Sequence, residues 1–321
     1  MNNTLAAIVV TYNRAGLLIE CLAALLAQSR PLARIILIDN ASTDATADLL
    51  QAHGYFDHPL IDYVRLPVNT GGAGGFHEGV RRGTAGGYDW LWLMDDDAEP
   101  AVDAVEKMSK HFARDDVAGI ANLPIGLDGK PQVEHRGWLR LRGTTAQAHQ
   151  PIDATALANG MEISFASFVG LAVHRRAIEK VGLPLKEFFI HRDDLEYCVR
   201  LSAVGPLVLA TDSLIRHKDA MNSVHPAKVV LGREVRRVPM AKLWLGYYSL
   251  RNLIWLRRRH CGAGVAARYA IRQYLRNAVG ILLYDSHRMT RLKFFLHASV
   301  DGWRGRFDND KPRRLTAVAS R

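Results

Sequence analysis

Short apolar runs alternate with stretches of helical period through the first 125 residues of the chain. The runs that predict strands cover residues 5–10, 34–39, 61–66, 90–94 and 118–123. Predicted helices cover about 16–27, 43–53 and 102–112, and a further helix follows a glycine-rich turn and runs through Gly79 and Arg82. Strands that alternate with helices predict right-handed crossovers and a mostly parallel sheet covered on both faces. The predicted fold class is therefore α/β.

The second half of the chain has a different pattern. Residues 130–159 mix loop with short strands, and an apolar run at 165–173 precedes a predicted helix at about 175–181. Beyond Met240 the pattern predicts helices only, with aromatic and arginine side chains mixed along them. We therefore predict a sheet domain over residues 1–239 and a helical region over residues 240–321.

Polar side chains follow the carboxyl ends of four successive predicted strands. In chain order these positions read Thr11-Tyr12-Asn13-Arg14, Asp39-Asn40, Asn69-Thr70-Gly71-Gly72 and Asp95-Asp96-Asp97. Ligands of open parallel sheets bind beyond the carboxyl ends of the strands. We therefore expect these side chains to line one shared pocket.

Three adjacent carboxylates, Asp95, Asp96 and Asp97, follow the predicted strand at 90–94. They repel one another unless a cation or solvent compensates, and Mg²⁺ or Mn²⁺ binds through one or two carboxylates. Asp95 and Asp97 project to the same side of an extended segment, so they can share a metal. The alternative is a solvated acidic turn that caps the next helix. The place of the triplet at a strand end favours the metal.

A second acidic cluster and one histidine are further candidates. Asp193 and Asp194 stand at the start of a predicted helix, where they can cap its N-terminus. Alternatively, one of them is a general base that takes a proton from a hydroxyl. His217 follows an apolar stretch. A lone histidine is commonly an ordinary side chain, but imidazole also suits Mn²⁺ beside carboxylates, so His217 is a candidate third ligand.

Four glycines fill four of the five positions 71–75, between a predicted strand and a predicted helix. The segment matches neither a Walker A motif nor G-x-G-x-x-G, because His77 stands where the third glycine is required. Glycines permit close approach of a ligand to the backbone and expose N–H groups at a helix start. The alternative is a flexible turn, and the number of glycines favours ligand contact.

Composition narrows the class of protein. With 48% hydrophobic and 23% charged residues, the chain differs from disordered, collagen-like and coiled-coil proteins. No apolar run approaches the roughly 18–20 residues of a membrane span, and we expect no signal peptide. Cys21, Cys198 and Cys261 lack C-x-x-C spacing, which disfavours a disulfide framework or a cysteine zinc site and favours the cytoplasm.

The positive charge is concentrated in the helical region. The whole chain carries +10, but residues 240–321 hold 17 Lys and Arg against 4 Asp and Glu, which leaves the first 239 residues slightly acidic. A basic region of this kind indicates an anionic neighbour, either lipid or nucleic acid.

The strand-end motifs and the second acidic cluster occur in an order that resembles the family 2 glycosyltransferases. The resemblance covers roughly Leu5 to Met221. It implies the GT-A fold, a nucleotide-sugar donor, a divalent metal (Mn²⁺ or Mg²⁺) and inversion at the anomeric carbon. The run from Asn69 to Phe76, together with Asp95–Asp97 and the later Asp-Asp-x-Glu-Tyr, is most similar to the galactofuranosyltransferases of bacterial cell-surface polysaccharides, such as cell-wall or O-antigen glycans.

That resemblance implies a role for each candidate residue. Asp95, Asp97 and His217 would bind the metal, Asp194 would be the general base, and Asp193 would contact the sugar or acceptor. The donor, UDP-galactofuranose, would contact seven positions: Thr11, Arg14, Asp39, Asn69, Gly71, Gly72 and Asp96. The acceptor would be a cell-surface glycan or a lipid-linked glycan.

One departure bears on the acceptor preference. Arg192 precedes the two aspartates where those relatives usually carry a tryptophan. The related rhamnosyltransferases share the motif order, so dTDP-rhamnose is the alternative donor.

The helical region leaves two interpretations open. Arg268, Arg272 and Arg276 recur every four residues and share one helix face, with apolar side chains such as Ile281 roughly opposite. A basic, aromatic-rich amphipathic surface predicts attachment to an anionic membrane, here the cytoplasmic face of the inner membrane. The alternative is a helical bundle with solvated arginines.

A non-catalytic protein that binds nucleic acid is the competing class of function. No helix-turn-helix, zinc-finger or RRM signature is present in the sequence. The acidic strand ends would also repel phosphate in the absence of a metal. We therefore expect a metal-dependent hexosyltransferase that does not bind nucleic acid.

Overall fold

The computed structural model of the chain describes residues 3–218, 227–230 and 233–317. The chain forms two compact units. The sheet unit comprises Met1–Leu139, His149–Lys186 and Asp193–Ala220, and the helical unit comprises Arg140–Ala148, Glu187–Arg192 and Met221–Arg321. Two short segments from the middle of the chain thus belong to the helical unit.

The sheet unit alternates strands and helices over its first half. Its strands are β1 (Leu5–Thr11), β2 (Arg34–Asp39), β3 (Ile61–Arg65), β4 (Trp90–Asp95), β5 (Ala98–Pro100), β6 (Gly119–Ile125), β7 (Arg136–Leu139), β8 (His149–Pro151), β9 (Met161–Ile163), β10 (Phe165–Ala166), β11 (Leu171–His174) and β12 (Leu207–His217). Its helices are α1 (Ala15–Leu26), α2 (Thr46–Ala52), α3 (Gly71–Ala85), α4 (Ala104–Ser109), α5 (Arg175–Val181) and α6 (Asp193–Leu201). The alternation predicted for the first 125 residues is confirmed.

The main sheet has the strand order β3-β2-β1-β4-β11-β6-β12-β5, and β9 pairs with β12. Strands β1–β4 run parallel to one another, as do β6 and β12, while β11 is antiparallel to both of its neighbours. The mixed, mostly parallel sheet predicted from the sequence is therefore present. Strand β1 is buried along its whole length, as expected for the centre of a sheet covered on both faces.

The apolar run at 165–173 does not form one strand. It divides into β10, which pairs with β7 in a separate three-stranded sheet, and β11, which enters the main sheet. Gly170 lies between them with φ of +78°, a left-handed conformation that favours glycine and redirects the chain. Hydrophobicity alone does not reveal this change of direction.

Close packing accounts for several of the glycines in α3. Gly75 and Gly79 lie one turn apart, and a Cβ atom at these positions would clash with Val10 and Ile8 of β1. A Cβ atom at Gly74 would clash with the side chain of Thr70. Since a methyl group does not fit at these positions, the helix needs glycine there whether or not a ligand binds nearby.

The helical unit contains the helices predicted beyond Met240. They are α7 (Leu243–Cys261), α8 (Ala263–Tyr284), α9 (Arg288–Arg304) and α10 (Lys311–Ala317), and a short hairpin pairs β13 (Ala227–Val230) with β14 (Arg233–Arg236). Helices α8, α9 and α10 pack against α7. Among the described residues, no helix is long and apolar enough to cross a membrane.

The arginines of the helical unit fall into two groups. Arg268, Arg272 and Arg276 of α8 are exposed, as an amphipathic helix predicts. Arg251 and Arg257 of α7, in contrast, are fully buried. Arg251 donates to two backbone carbonyl oxygens and Arg257 to one, which compensates part of the cost of removing each guanidinium from water.

Candidate functional site

The parallel register of β1, β2 and β4 gathers the predicted strand-end residues at one edge of the sheet. Thr11 at the end of β1 pairs with Asp39 at the end of β2, and Val10 pairs with Asp95 at the end of β4. The residues that follow these three strands therefore begin side by side. The expectation that all four strand ends line one shared pocket stays a prediction.

Arg14 and Thr11 hold the middle of the acidic triplet. Thr11 Oγ1 donates to Asp96 Oδ2 at 2.7 Å, and Arg14 Nη1 lies 3.1 Å from Asp96 Oδ1 and 3.2 Å from Asp97 Oδ2. Burial raises the pKa of Asp96 to about 6, although Arg14 and Thr11 act in the opposite direction. One guanidinium thus neutralises part of a buried cluster of like charges.

His217 lies against Asp97 in an orientation that suits a cation. Its Nδ1 is 2.7 Å from Gln132 Oε1, and its Nε2 is 3.6 Å from Asp97 Oδ1. An amide oxygen only accepts, so Nδ1 carries a proton, and Nε2 is the ring nitrogen that faces the carboxylate. A carboxylate oxygen beside an imidazole nitrogen is a donor pair that Mn²⁺ accepts, and the predicted pair of Asp97 and His217 is brought together.

Asp95 belongs to the same cluster. Burial, and then the charges of Asp97 and Asp96, raise the pKa of Asp95 well above its ordinary value. In the part of the chain that the structure describes, no three His, Cys, Asp or Glu side chains are grouped closely enough for a complete ligand set. Asp97 and His217 therefore fit as two direct metal ligands, and Asp95 is the nearby candidate for a third.

The second acidic cluster lies within electrostatic range of the first. Asp193 and Asp194 are the first two residues of α6, and Asp193 contributes to the raised pKa of Asp95, 98 positions earlier in the chain. Burial, and then the charge of Asp194, raise the pKa of Asp193 to about 7. Asp194 is half-buried, and its Oδ1 accepts the N–H of Leu195 at 2.6 Å. The second acidic cluster thus lies near the triplet and also at the N-terminus of a helix.

Asp39 lies at the end of β2 in a fixed hydrogen-bond environment. Its Oδ2 accepts the Tyr63 hydroxyl at 2.8 Å, and its Oδ1 accepts the N–H of Ser42 at 2.8 Å. The side chain is 1% exposed, so both oxygens are oriented by the protein. A ligand at this position would meet a carboxylate whose direction is already set.

Two asparagines hold the start of the glycine-rich segment. Asn40 Oδ1 accepts the N–H of Thr70 and Asn40 Nδ2 donates to the Gly71 carbonyl, both at 2.8 Å. Asn69 Oδ1 accepts the N–H of Gly71 at 2.8 Å. Gly71 has φ of +74°, and a Cβ atom at Gly72 would meet no atom within 4 Å. Of the glycines in this segment, Gly72 has open space for a ligand.

Several residues that support the site were not singled out as site residues from the sequence. Tyr63 and Gln132 orient Asp39 and His217, and Asn40 appeared only within a motif. Arg136 is fully buried, and it donates from Nε to the Asn122 carbonyl at 2.7 Å and from Nη2 to the Val169 carbonyl at 2.5 Å. Burial lowers its pKa to about 9, against the opposing charge of nearby Asp194. Gln132 and Arg136 lie where the hydrophobic pattern fades, so no local signal could have found them.

Two curated proteins align with much of this chain. The galactofuranosyltransferase GlfT1 of Mycolicibacterium smegmatis is 30% identical over 207 residues, which are 62% of this chain and 65% of that protein. The chain thus matches just under two thirds of the length of this relative. The dTDP-rhamnosyl transferase RfbF of Shigella flexneri is 23% identical over 95% of this chain and 97% of its own length.

A solved structure and a family profile define the fold and the family. The structure of GalNAc-T7 with UDP, GalNAc and Mn²⁺ superimposes with a TM-score of 0.59 at 14% identity, covering 92% of this chain and 54% of that one. Its likeness, with the sheet described above, shows the GT-A-like fold. Residues 6–182, more than half of the chain, match the profile of glycosyl transferase family 2. The chain therefore belongs to glycosyl transferase family 2.

Proposed function

We propose that this glycosyltransferase moves galactofuranose from UDP-galactofuranose to a hydroxyl of a cell-surface or lipid-linked glycan, with inversion at the anomeric carbon. The observation that carries the proposal is the gathering of Arg14, Asp97 and His217 at or just beyond the ends of β1, β4 and β12, with Arg14 Nη1 3.2 Å and His217 Nε2 3.6 Å from the Asp97 carboxylate. This arrangement supports a donor-binding edge with a metal site. GlfT1 supports galactofuranose as the sugar, and RfbF makes dTDP-rhamnose the alternative donor.

The donor would lie along the edge formed by β1, β2 and β4. Arg14 offers a positive charge and Gly72 an open backbone position, while Asp39 and Asn69 offer oriented polar groups beside the nucleotide. Asp96 would hold Arg14 by accepting a hydrogen bond from its guanidinium group. Thr11 would in turn hold Asp96 by donating a hydrogen bond to it. Assignment of sugar transfer to residues 1–239, and of an accessory role to residues 240–321, remains a prediction.

Asp97 and His217, with Asp95, would hold a divalent cation, which would neutralise the negative charge that develops on the departing nucleoside diphosphate. Mn²⁺ is present in the GalNAc-T7 structure, which supports this metal. Gln132 orients His217 by accepting a hydrogen bond from its Nδ1–H group. Arg14 supplies further positive charge beside the same carboxylates.

Asp194 would act as the general base. As the acceptor oxygen attacks the anomeric carbon, its proton passes to the Asp194 carboxylate, and the bond from that carbon to the diphosphate oxygen breaks with its electron pair. Asp194 is half-exposed and can therefore meet an acceptor from solvent. Asp193, with a pKa of about 7, keeps its own proton through mildly acidic pH and would donate a hydrogen bond to the sugar or acceptor.

Attachment to an anionic membrane would bring the enzyme to a lipid-linked acceptor. Helix α8 exposes an apolar stripe of Ile271, Leu275, Val279 and Leu282, each between 52% and 61% exposed. The exposed Arg268, Arg272 and Arg276 lie beside this stripe, and α8 contains no Asp or Glu. Ile281, which the sequence placed on the apolar face, is instead buried in the bundle. Apolar and basic side chains on one exposed surface suit the interface of an anionic bilayer.

The donor prediction is tested by measuring nucleotide release from a small panel of nucleotide sugars. UDP-galactofuranose, UDP-galactopyranose, UDP-glucose and dTDP-rhamnose are each mixed with enzyme and a crude lipid-linked glycan acceptor, with and without Mn²⁺. We expect turnover of UDP-galactofuranose that requires Mn²⁺. Turnover of dTDP-rhamnose instead would overturn the sugar assignment but keep the reaction class. If neither turnover nor Mn²⁺-dependent UDP binding occurs, the proposed function is wrong.

The base prediction is tested with Asp194→Asn. The amide oxygen can still accept the Leu195 N–H, so the fold should be retained, whereas proton transfer should be lost. We expect kcat to fall by about 10²–10⁴-fold with an unchanged dissociation constant for UDP by calorimetry. Glu179→Gln, at an exposed carboxylate of α5, is the control and should retain kcat. Turnover by Asp194→Asn at the wild-type rate would remove Asp194 from the role of base.

The metal prediction is tested with His217→Ala and Asp97→Asn. Each variant removes one donor of the pair, so UDP binding measured with and without Mn²⁺ should lose its metal dependence. We expect a loss of about 10–100-fold in Mn²⁺-supported affinity. His53→Ala, at the exposed histidine that follows α2, is the control and should bind as the wild type does. Equal Mn²⁺ dependence in all four proteins would show that this pair is not a metal site.

The membrane prediction is tested by flotation with two kinds of vesicle, phosphatidylcholine alone and phosphatidylcholine mixed with phosphatidylglycerol. We expect the wild type to float only with the anionic vesicles, and less so at high salt. The double variant Leu275→Asp/Val279→Asp should stay unbound, because the stripe becomes acidic. The control Val102→Asp/Leu127→Asp alters two exposed apolar residues of the sheet unit and should float. Failure of the wild type to float would contradict the proposal, as would a wild-type dimer that only the α8 variant disrupts.

A further inference from the structure

The segment Glu187–Arg192, here called the strap, has an unusual backbone. It belongs to the helical unit, and one peptide bond joins it to Asp193. Phe189, His191 and Arg192 have φ values of 63°, 66° and 69°, in the left-handed region that favours glycine. Three such residues within four positions cost free energy, so surrounding interactions must hold the strap in place.

Asn252 of α7 supplies several of those interactions. Its side chain is fully buried, and its Nδ2 donates to the carbonyl oxygens of Phe188, Ile190 and His191 at 3.0, 3.2 and 2.8 Å. A single carboxamide thus contacts three of the six carbonyls of the strap. A side chain without an N–H donor would remove these hydrogen bonds from buried carbonyl groups of the strap.

Arg251 completes the support from the same helix. Its Nη2 lies 3.3 Å from the Glu187 carbonyl oxygen and 3.2 Å from that of Phe188, and its Nε donates to Asn252 Oδ1 at 2.9 Å. The guanidinium also lies over the rings of Tyr248 and Phe307, at 5.1 and 4.9 Å. The arginine therefore holds both the strap and the asparagine that holds it.

Aromatic packing limits movement of the strap further. The ring of Phe189 stacks on Tyr248 with their centroids 5.0 Å apart, and the Tyr248 hydroxyl donates to the Asn309 carbonyl at 2.6 Å. The strained Phe189 is thus held by ring stacking, while its neighbours Phe188 and Ile190 are held by hydrogen bonds. Little freedom remains in the residues that precede Asp193.

We propose that Arg251 and Asn252 are positioning residues of the transfer reaction, an inference that rests on the proposed function of Asp194 as base. They fix the strap, and the strap fixes the point at which α6 begins with Asp193 and Asp194. Glycine at the three left-handed positions would relieve the strain, and apolar residues at 251 and 252 would avoid burying polar groups. The chain instead combines a strained backbone with buried polar support immediately before the base.

The strap would affect the reaction through the distance between the general base and the acceptor hydroxyl. A general base must lie within hydrogen-bond reach of the hydroxyl that it deprotonates, and a displacement of about 1 Å can cost roughly 100-fold in rate. Loss of the strap should therefore lower kcat. Donor binding should persist, because the candidate donor residues all belong to the sheet unit and none belongs to the strap.

The test compares Asn252→Asp with Tyr247→Phe. The aspartate keeps the size of the side chain and an oxygen for Arg251, but it cannot donate to the three carbonyls. Tyr247→Phe is the matched control, because it removes another buried hydrogen bond of α7, to Asp301 Oδ2 at 2.5 Å, that does not reach the strap. Each protein is measured for kcat, for the dissociation constant of UDP with Mn²⁺, for melting temperature and for hydrogen exchange of the peptide that spans residues 187–194.

We expect Asn252→Asp to exchange faster in that peptide and to lose about 10–100-fold in kcat, with UDP affinity unchanged and a melting temperature near that of Tyr247→Phe. Unchanged exchange in 187–194, or faster exchange with wild-type kcat, would overturn the positioning role. An equal loss of kcat in Tyr247→Phe would also overturn it, since the effect would then be general to α7. If Asn252→Asp does not fold, Arg251→Lys gives the same comparison. If the wild type transfers no sugar, the proposed function fails, while the exchange data still report on the strap.

Discussion

Burial of like charges at the end of β4 is the constraint on which the site depends. Asp96 keeps a pKa of about 6 even with Arg14 and Thr11 bonded to it. A shift of this size corresponds to about 3 kcal/mol at roughly 1.4 kcal/mol per pKa unit, so the internal partners do not offset the full cost of ionisation. A cluster that remains costly after internal compensation favours binding of positive charge from outside. Burial also disfavours ionisation of Asp95 and Asp193, whose pKa values are raised.

Sheet topology converts this local constraint into a site. Strands β1, β2 and β4 lie side by side and point the same way, so three separate turns of the chain meet at one edge. The long strand β12 returns through the sheet and ends at His217, whose partner Gln132 comes from a different loop. A histidine 120 positions after Asp97 thereby lies 3.6 Å from it. Parallel strands provide this gathering of chain ends, whereas the chemistry depends on which side chains occupy them.

Besides its apolar core, the helical unit buries some polar side chains against backbone and exposes some large apolar ones, and each of these departs from the usual distribution. Arg251 and Asn252 are fully buried and bond to carbonyl oxygens of the strap, while Leu275 and Val279 face solvent. Burial of polar side chains is compatible with stability only where they find hydrogen-bond partners. The buried polar groups hold the backbone of the strap, and the exposed apolar groups form the surface that we propose meets a membrane.

The sequence by itself determined the alternation of strands and helices, the polar positions at the strand ends and the family. These properties are local, because the period of hydrophobic side chains and the order of motifs can be followed along a single chain. Only the tertiary structure decided that Gly75 and Gly79 serve helix–sheet packing, that Gln132 orients His217, and that residues 187–192 belong with the helices. Each of these depends on contacts between residues far apart in sequence, and neither composition nor periodicity encodes which distant partner a side chain will meet.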